Sequence, residues 1–119
     1  MQVYIVCPVR NSTPADQKFA LDYVAGLERQ GITVYFPPRD SDQTEDGIGL
    51  RVNEANRAGL LTADEVHVIW DPKSIGSHFD MGMVFMLRAI RDCAIVLVNP
   101  VERTATKSYT NVVLELARK

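Results

Sequence analysis

The stretch that decides the fold lies between residues 64 and 89, and it begins Asp64-Glu65-Val66-His67-Val68-Ile69-Trp70-Asp71-Pro72-Lys73-Ser74-Ile75-Gly76-Ser77-His78-Phe79-Asp80-Met81-Gly82. Residues 65–70 form a short apolar run rich in strand formers, and Pro72 and Gly76 favour a turn after it. Residues 79–91 follow as an unusually apolar predicted helix. A strand, a Gly/Ser turn and a helix start together predict an anion site, because the first N–H groups of a helix lack internal partners.

The rest of the chain repeats this alternation of apolar runs and helical patterns. The predicted strands are residues 3–7, 32–36, 65–70 and 93–98, and the predicted helices are residues 14–30, 50–62, 79–91 and 107–118. The first helix has a predicted capping box of Thr13 and Asp16, a stop at Gly31, and a buried stripe of Phe19, Tyr23, Val24 and Leu27. This order predicts one α/β domain over residues 1–119 with a flavodoxin-like or Rossmann-like, doubly wound parallel sheet. We expect four to five strands in the order 2-1-3-4, with helices on both faces.

Composition narrows the class of protein and its partners. The net charge is −2 and the Lys and Arg residues are scattered, which argues against a nucleic-acid-binding surface. No apolar run approaches the roughly 20 residues of a membrane span, and residues 1–6 lack the features of a signal peptide, so we expect a cytoplasmic protein. Cys7 and Cys93 border apolar runs, which predicts buried, reduced thiols. We expect neither a metal nor a cofactor.

Ligands of such sheets bind beyond the carboxyl ends of the strands, where the strand order reverses. Residues 8–12 and 71–77 would lie side by side there, and residues 39–49 form a polar loop of a length that is often functional. Asp80 is the central candidate as a nucleophile or an acid/base. The alternative is that Ser77 and Asp80 form a capping box, and the local sequence alone favours that alternative.

Other candidates have equally plain alternatives. Arg10 could bind a phosphate or a carboxylate in a bidentate manner, or be a solvated loop residue. Ser74 and Gly76 could offer hydroxyl and backbone donors to an anion, or simply form a turn. Tyr4 belongs to the core or points its hydroxyl into the pocket, and Trp70 stacks on a base or packs in the core.

Three segments of this sequence, in order and spacing, resemble one family. These are residues 3–11, residues 63–66, and residues 74–82, in which Ser74 precedes Asp80 by six positions. They resemble the nucleoside 2-deoxyribosyltransferase superfamily, and most closely its branch of nucleoside 5′-monophosphate N-glycosidases, which includes 2′-deoxynucleoside 5′-phosphate N-hydrolase. The match covers most of the chain.

The resemblance implies roles for individual residues. It places Arg10 and the adjacent Asn11 at the 5′-phosphate together with Ser74 and Gly76. It places Tyr4 against the catalytic carboxylate. Asp80 stands where the family has a glutamate that attacks the anomeric carbon. Asn56, eight residues before Asp64, stands where the family has an aspartate that contacts the sugar or base. The family is oligomeric with sites near subunit borders, so Ser108 would reach a neighbour's phosphate.

The resemblance therefore implies an enzyme that cleaves, or transfers at, the N-glycosidic bond of a nucleoside 5′-monophosphate, with Asp80 as nucleophile. The alternative is a non-catalytic nucleotide-binding module of the same fold, which the changes at Asp80 and Asn56 favour. A third possibility is an interaction domain, but it would give no function to Arg10 and Ser74, which would lie where the strand order reverses. The helix over residues 79–91 is apolar nearly all round, which predicts a homodimer or a higher homo-oligomer.

Overall fold

The computed structural model describes residues 1–10, 12–44 and 47–118. Within these residues it has one sheet of four parallel strands: β1 (Gln2–Val6), β2 (Thr33–Tyr35), β3 (Glu65–Val68) and β4 (Ala94–Leu97). The strand order is β2-β1-β3-β4, so β1 and β3 lie at the centre. The predicted α/β class, the parallel sheet and the order 2-1-3-4 are confirmed.

Five helices connect and cover the strands in the described part of the chain. They are α1 (Pro14–Arg29), α2 (Pro37–Asp40), α3 (Leu50–Leu61), α4 (Ile75–Ile90) and α5 (Tyr109–Leu116). Thr13 and Asp16 form the predicted capping box of α1, and Gly31 has a φ of 83° just beyond its end. None of the described helices is long and apolar enough to cross a membrane.

The core lies in two layers, one on each face of the sheet. Val3 and Ile5 of β1 pack with α1, whereas Tyr4 and Val6 pack with residues of α3, α4 and α5, because successive side chains of a strand point to opposite faces. Cys7 and Cys93 are buried, as predicted. This alternation places the Tyr4 side chain on the face that α4 covers.

The buried stripe of α1 differs from the predicted one at Phe19. Val24 and Leu27 are buried as predicted, and Tyr23 is partly buried. Ala20 rather than Phe19 completes the stripe, and Phe19 is 47 % exposed. The small Ala20 occupies the contact with the sheet, which leaves the larger Phe19 ring beside the packed face.

Two helix starts also differ from the sequence prediction. Pro37 and Pro38, expected to stop the second strand before a loop over residues 39–49, instead begin α2, because proline fits the first helical positions. The helix predicted over residues 79–91 begins four residues earlier, at Ile75. The other boundaries agree with the prediction to within about two residues.

Candidate active site

Asp80 and Tyr4 form the centre of the candidate site. Asp80 lies in the second turn of α4 and is 7 % exposed, and Tyr4 is fully buried in the central strand β1. The Tyr4 hydroxyl donates a hydrogen bond to Asp80 Oδ2 at 3.1 Å. Packing of α4 on β1 thus joins two residues that are 76 positions apart in the chain.

Burial sets the ionisation of this pair. Loss of solvent raises the pKa of the Asp80 carboxyl from 3.8 to about 6, against the hydrogen bond from Tyr4, which lowers it. At pH 7 about nine-tenths of such a carboxyl is ionised. Burial and the nearby Asp80 charge raise the pKa of Tyr4 above its usual value, so the phenol stays protonated and donates.

A second group of polar residues joins Asn56 to this pair. The ring of Tyr35 stacks on the ring of Tyr4, with centroids 5.5 Å apart and planes 6° apart. The Tyr35 hydroxyl lies 2.6 Å from Ser41 Oγ, and Ser41 Oγ donates to Asn56 Oδ1 at 2.6 Å. Because Ser41 has one proton, which it gives to Asn56, the Tyr35 hydroxyl is the donor to Ser41. Asn56 is buried, and its amide nitrogen forms no hydrogen bond with a described residue.

The amino end of α4 supplies free backbone donors. Ser74 is the N-cap: its Oγ accepts from the Ser77 backbone N–H at 3.2 Å and donates to Ser77 Oγ at 2.8 Å. Within the described chain, the N–H groups of Ile75 and Gly76 have no acceptor. A methyl group added at Gly76 would meet nothing within 4 Å, so a ligand can approach this backbone closely.

The alternative interpretation of Asp80 as a helix cap is wrong. The cap is Ser74, and Asp80 lies six residues further along the chain. N-terminal capping satisfies only the N–H groups of the first turn, which Asp80 cannot reach from the second turn. The Asp80 carboxylate instead points into the protein towards Tyr4.

Within the described chain, neither Arg10 nor Ser108 forms a hydrogen bond or an ion pair with Asp80. Arg10 is exposed in the loop after β1 and forms no hydrogen bond or ion pair with the residues that the structure describes. Asn11 lies outside the described residues. Ser108 is the N-cap of α5; its hydroxyl contacts Thr104 Oγ1 at 2.7 Å and accepts from the Asn111 N–H at 3.1 Å.

A cavity of about 690 Å³ opens at the carboxyl edge of the sheet. Residues of both predicted loops line it, including Pro8, Val9, Asp71 and Pro72, together with one side of α1. Its described lining includes neither Asp80 nor Tyr4, although Cys7, at the end of the strand that carries Tyr4, is part of it. Cys7, Ala20 and Phe36 of this lining belong to the core layer under α1, so the cavity lies mainly on the face of the sheet opposite Tyr4 and Asp80.

Trp70 forms part of the packed core. Its Nε1 donates to Thr110 Oγ1 at 3.0 Å, and its ring centroid is 4.7 Å from that of His78. The other side of His78 meets the edge of Tyr109 at 5.4 Å. This stack connects the amino ends of α4 and α5, and it favours the packing interpretation of Trp70.

Sequence reasoning missed Tyr35, Ser41 and Gly59. A Cβ at Gly59 would lie 2.9 Å from Cγ of Tyr35, so the absence of a side chain there lets α3 lie directly on the Tyr35 ring. A glycine inside a predicted helix is a signal of such close packing. Ser41 carried no comparable signal, because it follows a helix where a loop was predicted.

Neither a family model nor a curated protein matches this chain. Among residues 1–10, 12–44 and 47–118, no three His, Cys, Asp or Glu side chains lie together as the ligands of a metal ion would.

Proposed function

We propose that this protein breaks the N-glycosidic bond of a nucleoside 5′-monophosphate, with Asp80 as the nucleophile. The observation that carries the proposal is the buried Asp80 carboxyl, held by the Tyr4 hydroxyl beside the carboxyl edge of the sheet. Asp80 Oδ would bond to the anomeric carbon as the bond to the base breaks, through an oxocarbenium-like transition state, as in retaining glycosidases. Water or a second base would then displace Asp80 from the sugar.

The amino end of α4 is a suitable place for the phosphate of such a substrate. The free N–H groups of Ile75 and Gly76, with the positive end of the helix dipole, attract an anion. Six residues of helix separate Ser74 from Asp80, which is about 9 Å along the helix axis. One helix would thus hold both the phosphate and the reacting carbon, and the exposed Arg10 would add a cation from the loop after β1.

The hydrogen-bonded group of Tyr35, Ser41 and Asn56 would orient the sugar of the substrate. Asn56 occupies the position of a sugar- or base-contacting aspartate in the resembled family, and its amide nitrogen is available to donate to a hydroxyl. The bonds through Ser41 and Tyr35 fix this amide relative to Tyr4 and Asp80. An amide can position a substrate but cannot act as a base.

A non-catalytic nucleotide-binding module is the second candidate, favoured by the residue types at two positions. The Asp80 side chain is one methylene shorter than the glutamate of the resembled family, and its carboxyl group already accepts a hydrogen bond from the Tyr4 hydroxyl. A misplacement of about 1 Å at a reacting centre can reduce the rate about 10²-fold. The module would bind the same nucleotide through α4 without turning it over.

We also propose that the exposed side of α4 forms the interface of a homodimer. This helix exposes an apolar stripe of Ile75, Phe79, Phe85, Met86 and Ile90, between 59 % and 86 % exposed. A contiguous apolar surface of this kind typically marks a protein–protein contact. A second copy of the chain would cover the stripe, and Ser108 of one copy would then approach the phosphate site of the other.

Incubation with a panel of nucleoside 5′-monophosphates, followed by chromatography for free base, tests the proposal. We expect base release by the native protein, at least 10³-fold less with Asp80→Asn, and more with Asp80→Glu, since the amide cannot attack C1′. Asp22→Asn, a change in a surface ion pair of α1, serves as the control and should leave the rate unchanged. If the native and Asp80→Glu proteins bind nucleotides but release no base, the binding module is the correct function.

A further inference from the structure

An exposed glycine lies in the middle of α4. Gly82 occupies an interior helical position, where alanine is normally more stable than glycine. At Gly59 the missing side chain makes room for the Tyr35 ring, but a Cβ at Gly82 would meet nothing within 4 Å. Two residues of helix turn by about 200°, so Gly82 lies nearly opposite the buried Asp80 and makes no room for a ligand there. No contact within the described part of a single chain therefore explains this glycine.

The exposed apolar side chains of α4 are arranged symmetrically about Gly82. Ile75 and Ile90 are the first and last residues of the helix, and Phe79 and Met86 lie equally far from its midpoint, which is next to Gly82. These four side chains and Gly82 fall within about 80° of the helix circumference. The four side chains are between 59 % and 86 % exposed. A two-fold axis at the midpoint would place Phe79 against the partner's Met86, and Ile75 against the partner's Ile90.

This side of α4, a helix described at every residue, carries no charged side chain. The two charged residues of the helix have other surroundings: Asp80 is buried, and the Arg88 side chain donates to the Leu116 carbonyl oxygen of α5 at 3.3 Å. A highly charged partner would find no opposite charge on this surface. A second copy of the chain presents the same uncharged, apolar surface with the same symmetry, and it is therefore the partner that fits.

We propose that Gly82 is the crossing point of the two α4 helices in a homodimer, which pack antiparallel about a two-fold axis. The inference rests on the homodimer proposed above and gives it a geometry. The axes of packed helices lie about 8–10 Å apart, and the side chains at the contact set the distance. Because Gly82 has no side chain, the two backbones approach at the short end of that range. Phe79 and the partner's Met86 then close the contact on both sides of the crossing.

Gly82→Ala should have opposite effects on folding and on assembly. In Phe85→Asp, a variant expected to be monomeric, the added alanine should raise the Tm by about 3–6 °C, because alanine favours the helix. In the native background it should hold the two helices apart. We expect the Kd of the dimer, measured by sedimentation, to rise about 5- to 150-fold, as overpacking of one contact would cause. A Kd within twofold of the native value would make the inference wrong.

Gly26→Ala in α1 is the matched control. Its Cβ would meet only the end of the Arg29 side chain, at 3.8 Å. The same substitution should therefore raise the Tm by a similar amount and leave the Kd of the dimer unchanged. If Gly26→Ala weakened the dimer as much as Gly82→Ala does, the effect would not come from a contact at Gly82 and the inference would be rejected.

Disulfide crosslinking tests the two-fold pairing. Within one chain, residues 79 and 86 are about 10 Å apart along the helix axis, too far for a disulfide bond. We expect Phe79→Cys combined with Met86→Cys to give a covalent dimer on mild oxidation, because each new thiol would face a new thiol of the partner. The native Cys7 and Cys93 are buried and serve as an internal control. Each single variant should stay uncrosslinked, and a covalent dimer of either one would overturn the antiparallel arrangement.

These outcomes are separable from that of the proposed reaction, because every measurement uses the protein without a nucleotide. A native protein that sediments as a monomer would reject the crossing together with the homodimer, whereas base release would still test Asp80 as the nucleophile. A covalent dimer of the double variant, without base release from any nucleotide, would support the crossing and reject the reaction.

Discussion

Asp80 is ionised at neutral pH at a cost to the folded state. Its pKa rises from 3.8 to about 6 on burial, so the folded protein binds this proton more tightly than the unfolded chain does. Stability should therefore fall as the pH rises from about 4 to about 6, and the loss should be complete above that range. The shift in pKa corresponds to a decrease on the order of 2–3 kcal/mol in the free energy of unfolding.

Asp80→Asn should consequently stabilise the protein above pH 6. The amide is uncharged, and its oxygen can still accept the Tyr4 hydrogen bond, so we expect a gain of about 2 kcal/mol in the free energy of unfolding at pH 8. The gain should vanish below pH 4, where the native carboxyl is protonated in both states. Urea unfolding of both proteins between pH 3.5 and pH 8 measures it.

The control for this prediction is Asp22→Asn, whose carboxylate is exposed beside Lys18. It should change stability by less than about 0.5 kcal/mol at every pH, as surface substitutions usually do. A stability difference for Asp80→Asn that does not vary with pH would mean that the Asp80 carboxyl is not titrating between pH 4 and pH 6.

Whether a site residue could be predicted from the sequence depends on how far apart in the chain its contacting residues lie. Tyr4 and Asp80 could be proposed because strand and helix patterns, with the resembled motifs, place them on neighbouring elements. Their hydrogen bond also depends on the packing of α4 against β1. Tyr35 and Ser41 could not be proposed, because stacking and a buried hydroxyl bond between distant segments leave no local pattern.

Among the elements, α4 shows why the start of a helix is harder to predict than its existence. The apolar periodicity of the helix identified it correctly. Ser74 and Gly76 also favour turns, and this preference concealed the first helical turn. A glycine at the second helical position lies at the helix end, so it avoids the entropic cost that glycine has in a helix interior. The shift of four residues moves Asp80 from the capping turn into the core.

The contact between α3 and β2 leads to a prediction at Gly59. Alanine in a helix interior is usually favoured over glycine by about 1 kcal/mol. Here the new Cβ would lie 2.9 Å from Cγ of Tyr35, which is closer than real contacts allow. We expect Gly59→Ala to lower the free energy of unfolding by about 1–3 kcal/mol, as overpacking does. It should also reduce base release, because the Tyr35 ring must move against Tyr4.

Gly26→Ala in α1 is the matched control. Its Cβ would meet only the far end of the flexible Arg29 side chain, at 3.8 Å. This substitution should raise stability by up to about 1 kcal/mol and leave activity unchanged. If thermal unfolding shows equal gains for both variants, the Tyr35 ring is not held between Gly59 and Tyr4.

At the scale of the whole molecule, the two faces of the sheet are covered unequally. α1 packs on one face, whereas α3, α4 and α5 pack on the other. α4 lies between its neighbours with one side in the core, through Met81, Val84 and Leu87, and its apolar stripe faces outward. The sequence indicated that this helix is apolar nearly all round. The structure shows which side a single chain leaves exposed.

A charge in the centre of that stripe should prevent assembly. We expect the native protein to be a dimer at micromolar concentration and Phe85→Asp to be a folded monomer, because a carboxylate buried in an apolar interface without a partner costs several kcal/mol. Sedimentation velocity measures the change, and Leu61→Asp, an exposed apolar position at the end of α3, should stay dimeric. If Ser108 of the partner completes the phosphate site, the monomer should also bind nucleoside monophosphates more weakly than the dimer does. A native protein that sediments as a monomer would contradict the dimer and would leave the phosphate to the residues of a single chain.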